Sequence, residues 1–90
     1  MLELAMHWNY AVHRYTAVDT GQASIEFWTC RAGVWECTGY FAGGVRQPAL
    51  HYRLDTHLLL RRLQAIHSSH TDWVTAEKYA EMLAEMTTHA

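Results

Sequence analysis

The segment from Ser24 to Phe41 constrains the fold of this 90-residue chain more than any other. Two runs rich in aromatic and β-branched residues flank Ala32-Gly33, a dipeptide that suits a tight turn. This pattern predicts a β-hairpin. The hairpin carries two tryptophans and both cysteines of the chain, in the order Trp28, Cys30, Trp35 and Cys37.

The length of the turn decides how the two cysteines lie relative to each other. With a two-residue turn, Cys30 lies opposite Trp35, so the two sulfur atoms are diagonal and a disulfide is strained. With a four-residue turn, Cys30 faces Cys37 directly, a disulfide becomes geometrically feasible and Trp35 sits exposed at the tip. We favour the short turn with two reduced thiols in or near the core, because a reduced cysteine behaves as a small buried hydrophobe.

A further strand is predicted before the hairpin, over residues 7–18, where aromatic and β-branched residues occur without glycine or proline. Asp19-Thr20-Gly21 provides the turn into the second strand. A three-residue loop places Arg14 opposite Glu26, which cross-strand electrostatics favours. The pairs predicted from this register are Thr16–Ser24, Arg14–Glu26, Val12–Trp28 and Tyr10–Cys30.

The second half of the sequence predicts two helices. Asp55 has the position of a helix N-cap, followed by apolar residues at helical spacing, and this helix should end around residues 67–70. The next helix should begin near Asp72 or Thr75. Residues 50–54 are a candidate for a short fourth strand.

These elements occur in the order β-β-β-α-α. They predict an α+β fold with a three-stranded antiparallel meander, four-stranded if residues 50–54 join it, followed by two helices packed on one face. The length corresponds to a single domain over residues 1–90.

Composition argues against two classes of function. Seven Lys and Arg against nine Asp and Glu give a net charge of −2, whereas a general nucleic-acid binder usually carries a basic surface, so direct nucleic-acid binding is not expected. The first residues lack the basic segment of a signal peptide, and no segment approaches the roughly 20 apolar residues of a membrane span. We therefore expect a cytoplasmic protein with no membrane association and with reduced cysteines.

Motifs of enzymes and of metal sites are missing from the sequence. It contains no glycine-rich phosphate loop, no His-Glu-x-x-His and no Gly-x-Ser-x-Gly. His67 and His70 together with the two cysteines would make a Cys₂His₂ set, but their spacing matches no standard zinc module. We expect no enzyme, no cofactor and no metal, with a small Cys/His metal-binding or redox protein as the alternative.

Aromatic and charged side chains are the strongest indication of function. Four tryptophans and five tyrosines are more than one thin core layer easily hides, and Trp, Tyr and Arg contribute most of the energy at protein interfaces. Arginines concentrate between residues 46 and 62, and glutamates form an i, i+4, i+8 stripe on the last helix. The candidate partner-binding residues are Trp35, Tyr40, Arg46, Arg53, Arg62, Glu77, Glu81 and Glu85.

The expected function is a small intracellular protein–protein interaction module. Compact, mildly acidic, motif-free domains of this size are common among phage and mobile-element proteins that block host machinery, of which anti-CRISPR proteins are one group. Size and composition thus suggest an inhibitor that docks on a host nucleic-acid-processing complex. A homodimeric structural module is a further alternative, in which the apolar sheet face is buried against its own copy.

Overall fold

The computed structural model describes residues 2–49 and 52–88 and has the predicted α+β class, with an antiparallel sheet. The described residues form six strands and three helices, more than the sequence predicted. In chain order they are α1 (Leu2–Met6), β1 (Tyr10–Thr16), β2 (Ala23–Arg31), β3 (Val34–Ala42), β4 (Val45–Gln47), β5 (Arg53–Asp55), α2 (Thr56–Ala65), β6 (His70–Val74) and α3 (Ala76–Thr88).

The predicted meander of β1, β2 and β3 forms the centre of the sheet, whose strand order is β4-β3-β2-β1-β6. The outer side of β3 is paired at one end with β4 and at the other with β5. The candidate strand at residues 50–54 is partly right, since β5 contains Arg53 and Leu54, whereas residues 50 and 51 lie outside the described part. The order β-β-β-α-α is therefore only partly correct, because strands also alternate with the helices.

The β2–β3 turn has the predicted two-residue form. Ala32 and Gly33 have φ angles of 52° and 77°, the left-handed pair that a tight hairpin turn needs. Cys30 lies opposite Trp35, and no disulfide joins Cys30 to Cys37. A bulge then shifts the register, so that Phe27 lies opposite Gly39.

The predicted register of β1 against β2 is wrong by one residue, because His13 and not Arg14 lies opposite Glu26. The cause is the loop, which is longer than the three residues predicted. The Ala17 N–H donates to the Gln22 carbonyl at 2.9 Å, so the antiparallel pairing continues past β1 and leaves residues 18–21 as the loop. A shift of one residue moves every side chain to the other face of a strand, and it brings His13 beside the Glu26 carboxylate.

The two faces of the sheet are covered by different helices, which corrects the prediction that all helices pack on one face. We call the side with Ala11, Trp28 and Trp35 the tryptophan face; α1 and α2 cover it. We call the side with Phe27 and Phe41 the phenylalanine face; α3 covers it. Successive residues of β2 point to opposite faces of the sheet, and each face carries large apolar side chains. Both faces therefore need a cover.

The helix starts follow the capping chemistry expected from the sequence. The Asp55 carboxylate accepts a hydrogen bond from the Leu58 N–H at 2.8 Å, which confirms Asp55 as the N-cap of α2. The Thr75 hydroxyl accepts from the Lys78 N–H at 3.2 Å, so Thr75 and not Asp72 caps the start of α3. Asp72 lies in β6, a strand that the sequence analysis missed.

Candidate functional site

A buried carboxylate lies at the centre of the tryptophan face. Glu26 on β2 is 0 % exposed, and both of its oxygens accept hydrogen bonds. Oε1 accepts from the Trp28 indole N–H at 3.0 Å, and Oε2 accepts from the Tyr15 hydroxyl at 2.9 Å. Arg62 on α2 donates to both oxygens, from Nε and from Nη2. A strand and a helix that are distant in sequence are thus joined through one side chain.

These contacts keep Glu26 ionised. Burial alone would raise its pKa, but hydrogen bonds from His13 and Arg62, together with the Arg62 charge, outweigh burial and lower the pKa from 4.5 to about 2. The carboxylate in turn raises the pKa of Arg62 through their hydrogen bond. Burial and the negative charge of Glu26 raise the pKa of Tyr15. At neutral pH the site therefore holds a carboxylate, a guanidinium and a neutral phenol.

Arg62 lies between two aromatic rings. The centre of its guanidinium is 5.9 Å from the Trp28 ring centroid and 5.6 Å from that of Tyr52. Its side chain is 30 % exposed, so Arg62 contacts the buried Glu26 and also reaches the protein surface. Arg62 is therefore held on more sides than Arg46 or Arg53, the other two arginines selected from the sequence.

Three tyrosines lie near the Glu26–Arg62 pair on the tryptophan face. Tyr40 lies opposite Glu26 across the β2–β3 pair, and it lies close enough to Tyr15 to contribute to the raised pKa of that phenol. Tyr15 and Tyr40 are half-buried, and Tyr52 is 51 % exposed. We call Tyr15, Tyr40, Tyr52 and Arg62 the tyrosine patch.

A serine and a histidine lie beside Glu26 on the same face, and these three residue types together could suggest a hydrolytic triad. The geometry does not form one. His13 and Ser24 are 0 % and 1 % exposed, and within the described residues neither His13 Nε2 nor Ser24 Oγ has a hydrogen-bond partner. The serine and the histidine are therefore not bonded to each other. His13 reaches Glu26 through Nδ1, at 3.5 Å from Oε1.

The residues selected from the sequence are divided between burial and exposure. Trp35 is 0 % exposed beneath α2, where its indole N–H donates to the Thr56 hydroxyl at 3.2 Å. We correct its selection as a partner-binding residue, because the short turn places it in the core. Tyr40 and Arg62 both lie beside Glu26 and belong to the tyrosine patch.

The other selected residues are found on the phenylalanine face or on α3. The Arg46 guanidinium lies 5.7 Å from the Phe41 ring centroid, and Arg53 Nε lies 2.8 Å from Glu36 Oε1. All three glutamates of the predicted stripe are exposed along α3: Glu77, Glu81 and Glu85. The structure therefore does not bring Arg62 together with the other two selected arginines.

The candidate metal ligands are not assembled. Across residues 2–49 and 52–88, no group of three or more His, Cys, Asp and Glu is arranged to hold a metal ion. His70 instead lies with its Nε2 atom 2.8 Å from Asp72 Oδ1, near the Arg14 guanidinium that also contacts Asp72.

Glu26, the central residue of this site, was not among the residues selected from the sequence. Glu26 lies between Ile25 and Phe27 in the middle of a strand. An acidic residue flanked by large apolar residues in a strand can indicate a buried carboxylate, and this was the pattern that could have identified it. The predicted register paired Glu26 with Arg14, which accounted for its charge and so concealed its burial. Tyr15 and Tyr52 carried no comparable signal in the sequence.

No protein-family model, no curated protein and no solved structure matches this chain. Among the described helices, none has both the length and the apolar character needed to cross a membrane.

Proposed function

We propose that this protein is a small non-enzymatic protein-binding module that docks a protein partner through the tyrosine patch. The observation that supports this most is the fixed position of Arg62. Its guanidinium is bonded to the buried Glu26 carboxylate and flanked by Trp28 and Tyr52, and the side chain as a whole stays 30 % exposed. Tyrosine and arginine are the side chains enriched at the energetic centres of protein interfaces.

The patch is organised before a partner arrives. Immobilising a flexible side chain on binding costs about 0.5–1.5 kcal/mol, and long arginine side chains are among the most flexible. Arg62 and Tyr15 are already held by Glu26, so this cost is met on folding and not on association. A surface of this kind supports binding with little rearrangement.

The charge of the patch indicates the chemistry of the partner. Glu26 neutralises Arg62, so the exposed surface of the patch is mainly aromatic and has little net charge. Apolar and aromatic side chains with a few hydrogen-bonding groups complement such a surface better than a strongly charged one does. We therefore expect the interaction to be only weakly sensitive to salt.

The experiment is partner capture from the native host followed by affinity measurement with the purified partner. Tyr52→Ala should raise the Kd about tenfold or more, because removing a central aromatic side chain typically costs about 1.4 kcal/mol or more. Tyr52→Phe should retain most of the affinity because the ring remains. Val18→Ala is the matched control, since Val18 is 92 % exposed in the β1–β2 loop, outside the patch.

The alternatives give distinct results in the same experiment. A captured partner whose Kd is unchanged by both Tyr52→Ala and Tyr40→Ala would refute the patch as the docking surface. The narrower hypothesis, a phage or mobile-element inhibitor of the anti-CRISPR type, predicts that the captured partner belongs to a host nucleic-acid-processing complex. Capture of an unrelated host protein would remove that narrower hypothesis and keep the general one.

A further inference from the structure

An open groove of about 450 Å³ lies on the phenylalanine face near the β2–β3 turn. We call it the tip groove; it is lined mainly by Thr29, Arg31, Val34, Glu36, Thr38 and Arg53. The Thr38 hydroxyl contacts the Tyr79 hydroxyl of α3, so the groove borders that helix. The residues that line the groove are exposed or half-buried, so this part of the sheet is uncovered although it lies directly beside the helix that covers the rest of the face.

The tip groove carries an excess of positive charge. Arg31 is exposed and has no ion-pair partner among the residues that the structure describes. Arg53 is 77 % exposed and pairs with Glu36, which lies on the strand between the two arginines. Two guanidinium groups and one carboxylate leave a net charge of +1 in the groove.

The outer surface of α3 carries the opposite charge. Glu77, Glu81 and Glu85 are exposed, and within the described part of the chain only Glu81 has a basic partner, Lys78, at 3.3 Å. We call the three glutamates the acidic stripe. The stripe and Lys78 together have a net charge of −2, so they complement the tip groove in sign.

The spacing of the charges also agrees. Arg31 and Arg53 lie two strands apart and two residues apart in register, which corresponds to about 12 Å between their Cα atoms. Glu77 and Glu85 are eight residues apart on one helix, which also corresponds to about 12 Å. Both arginines can therefore meet a glutamate of the same stripe at once.

We propose that the tip groove binds the acidic stripe of a second copy of this chain, in a twofold-symmetric dimer. Within one chain the stripe lies on the outer side of α3 and so points away from the sheet that carries its own groove. Because groove and helix are neighbours on one face, a single twofold contact lets each copy present its stripe to the other copy's groove. The occupant is complementary in charge and in spacing, and it is always present at the concentration of the protein itself.

This dimer uses the face opposite to the tyrosine patch, so it stands independently of the proposed function. Tyr52→Ala should leave the dimer unchanged, and charge reversals on α3 should leave the tyrosine patch intact. Failure of one proposal is thereby distinguishable from failure of the other.

The test uses two charge-reversed proteins and their mixture, measured by analytical ultracentrifugation at low salt. The first carries Glu77→Arg and Glu85→Arg, which reverses the stripe. The second carries Arg31→Glu and Arg53→Glu, which reverses the groove. Each alone should have a dimer dissociation constant raised roughly tenfold or more, because like charges then face each other.

An equimolar mixture should restore the dimer as a heterodimer. The reversed stripe then meets the reversed groove, while the second contact pairs the native stripe with the native groove. The wild-type dimer should weaken as salt is added, because exposed charges are screened. Glu3→Arg and Arg61→Glu are matched controls at exposed positions on α1 and α2, and neither should alter the wild-type dimer.

Three results would overturn the proposal: a wild-type chain that is monomeric at millimolar concentration in low salt, reversed proteins that dimerise like the wild type, or a mixture that stays monomeric. The mixture also separates this dimer from capture of a basic or an acidic foreign partner, since such a partner would not make the two variants bind each other. Circular dichroism of each variant confirms that it is folded, and Arg31→Ala with Glu85→Gln provides a milder pair that should weaken the dimer in the same direction.

Discussion

The tryptophan face and the phenylalanine face each contain an arginine–glutamate pair, and the two pairs differ in burial. On the tryptophan face, Arg62 of α2 closes over Glu26, which is fully shielded from solvent. On the phenylalanine face, Arg53 and Glu36 lie on neighbouring strands with side chains 77 % and 46 % exposed. The first pair fixes a helix against the sheet, whereas the second only joins two strands that are already hydrogen-bonded.

The difference shows that ion pairs of the same chemistry contribute unequally to a fold. An exposed pair is usually worth about 0–1 kcal/mol, because water solvates both partners when they separate. Removing one partner of a buried pair leaves an uncompensated charge and costs about 3–5 kcal/mol. The tryptophan face should therefore depend on its charges, and the phenylalanine face on its apolar packing.

Arginine truncation is the most direct way to break this comparison. Arg62→Ala should lower the free energy of unfolding by about 3 kcal/mol, the lower end of the range for buried pairs, because its side chain is partly exposed. Arg53→Ala is the matched change on the other face and should cost at most about 1 kcal/mol. Urea unfolding followed by tryptophan fluorescence measures both, and equal effects would show that burial does not distinguish the two pairs.

Acid should reveal the same asymmetry through pH. The pKa of Glu26 is about 2 in the folded protein against 4.5 for an unperturbed carboxyl, so between these values the unfolded chain binds the additional proton. The stabilisation from Glu26 is therefore complete above about pH 4.5 and is lost as the pH falls towards 2. Its size is about 3 kcal/mol at 1.36 kcal/mol for each pKa unit.

The measurement is the free energy of unfolding at several pH values below 5 for the wild type and for Glu26→Gln. The variant should be less stable at neutral pH and should show a shallower decline in acid, because it lacks the titrating group. Glu36→Gln is the control on the phenylalanine face and should preserve the wild-type slope. An unchanged slope in Glu26→Gln would contradict the assignment.

Helix capping sharpens the comparison with a smaller effect. Asp55→Ala removes the N-cap of α2 on the tryptophan face, and Thr75→Ala removes that of α3 on the phenylalanine face. Each should cost about 1 kcal/mol in unfolding free energy. Asp55→Asn and Thr75→Ser keep a capping oxygen and should be nearly neutral. If removing the cap of one helix left the unfolding free energy unchanged, that helix would not fold cooperatively with the sheet.

Local chemistry explains which parts of the fold were predictable from the sequence. Ala32-Gly33 specifies a two-residue turn, and Asp55 and Thr75 specify helix starts, because each acts through neighbouring residues alone. The strand β6 was missed because its residues 70–74 mix polar and apolar types without clear alternation. Its pairing with β1 depends on a segment far away in the chain.

The candidate site was less predictable than the fold because it depends on register. The β1–β2 loop consists of residues 18–21 and is one residue longer than predicted. For this reason His13, and not Arg14, lies beside Glu26. Tyr40 and Arg62 were selected for their residue type, and their proximity to Glu26 could not be read from spacing. Trp35 was selected for the same reason but is buried, because residue type alone does not determine exposure.

The connection between Glu26 and Arg62 also has a consequence for the order of folding. The β2–β3 hairpin closes through a two-residue turn, whereas Arg62 lies 36 residues beyond Glu26 and arrives only with α2. Contacts between distant residues form later because closing a longer loop loses more chain entropy. We therefore expect the Glu26 carboxylate to stay partly hydrated until α2 docks and brings the positive charge of Arg62.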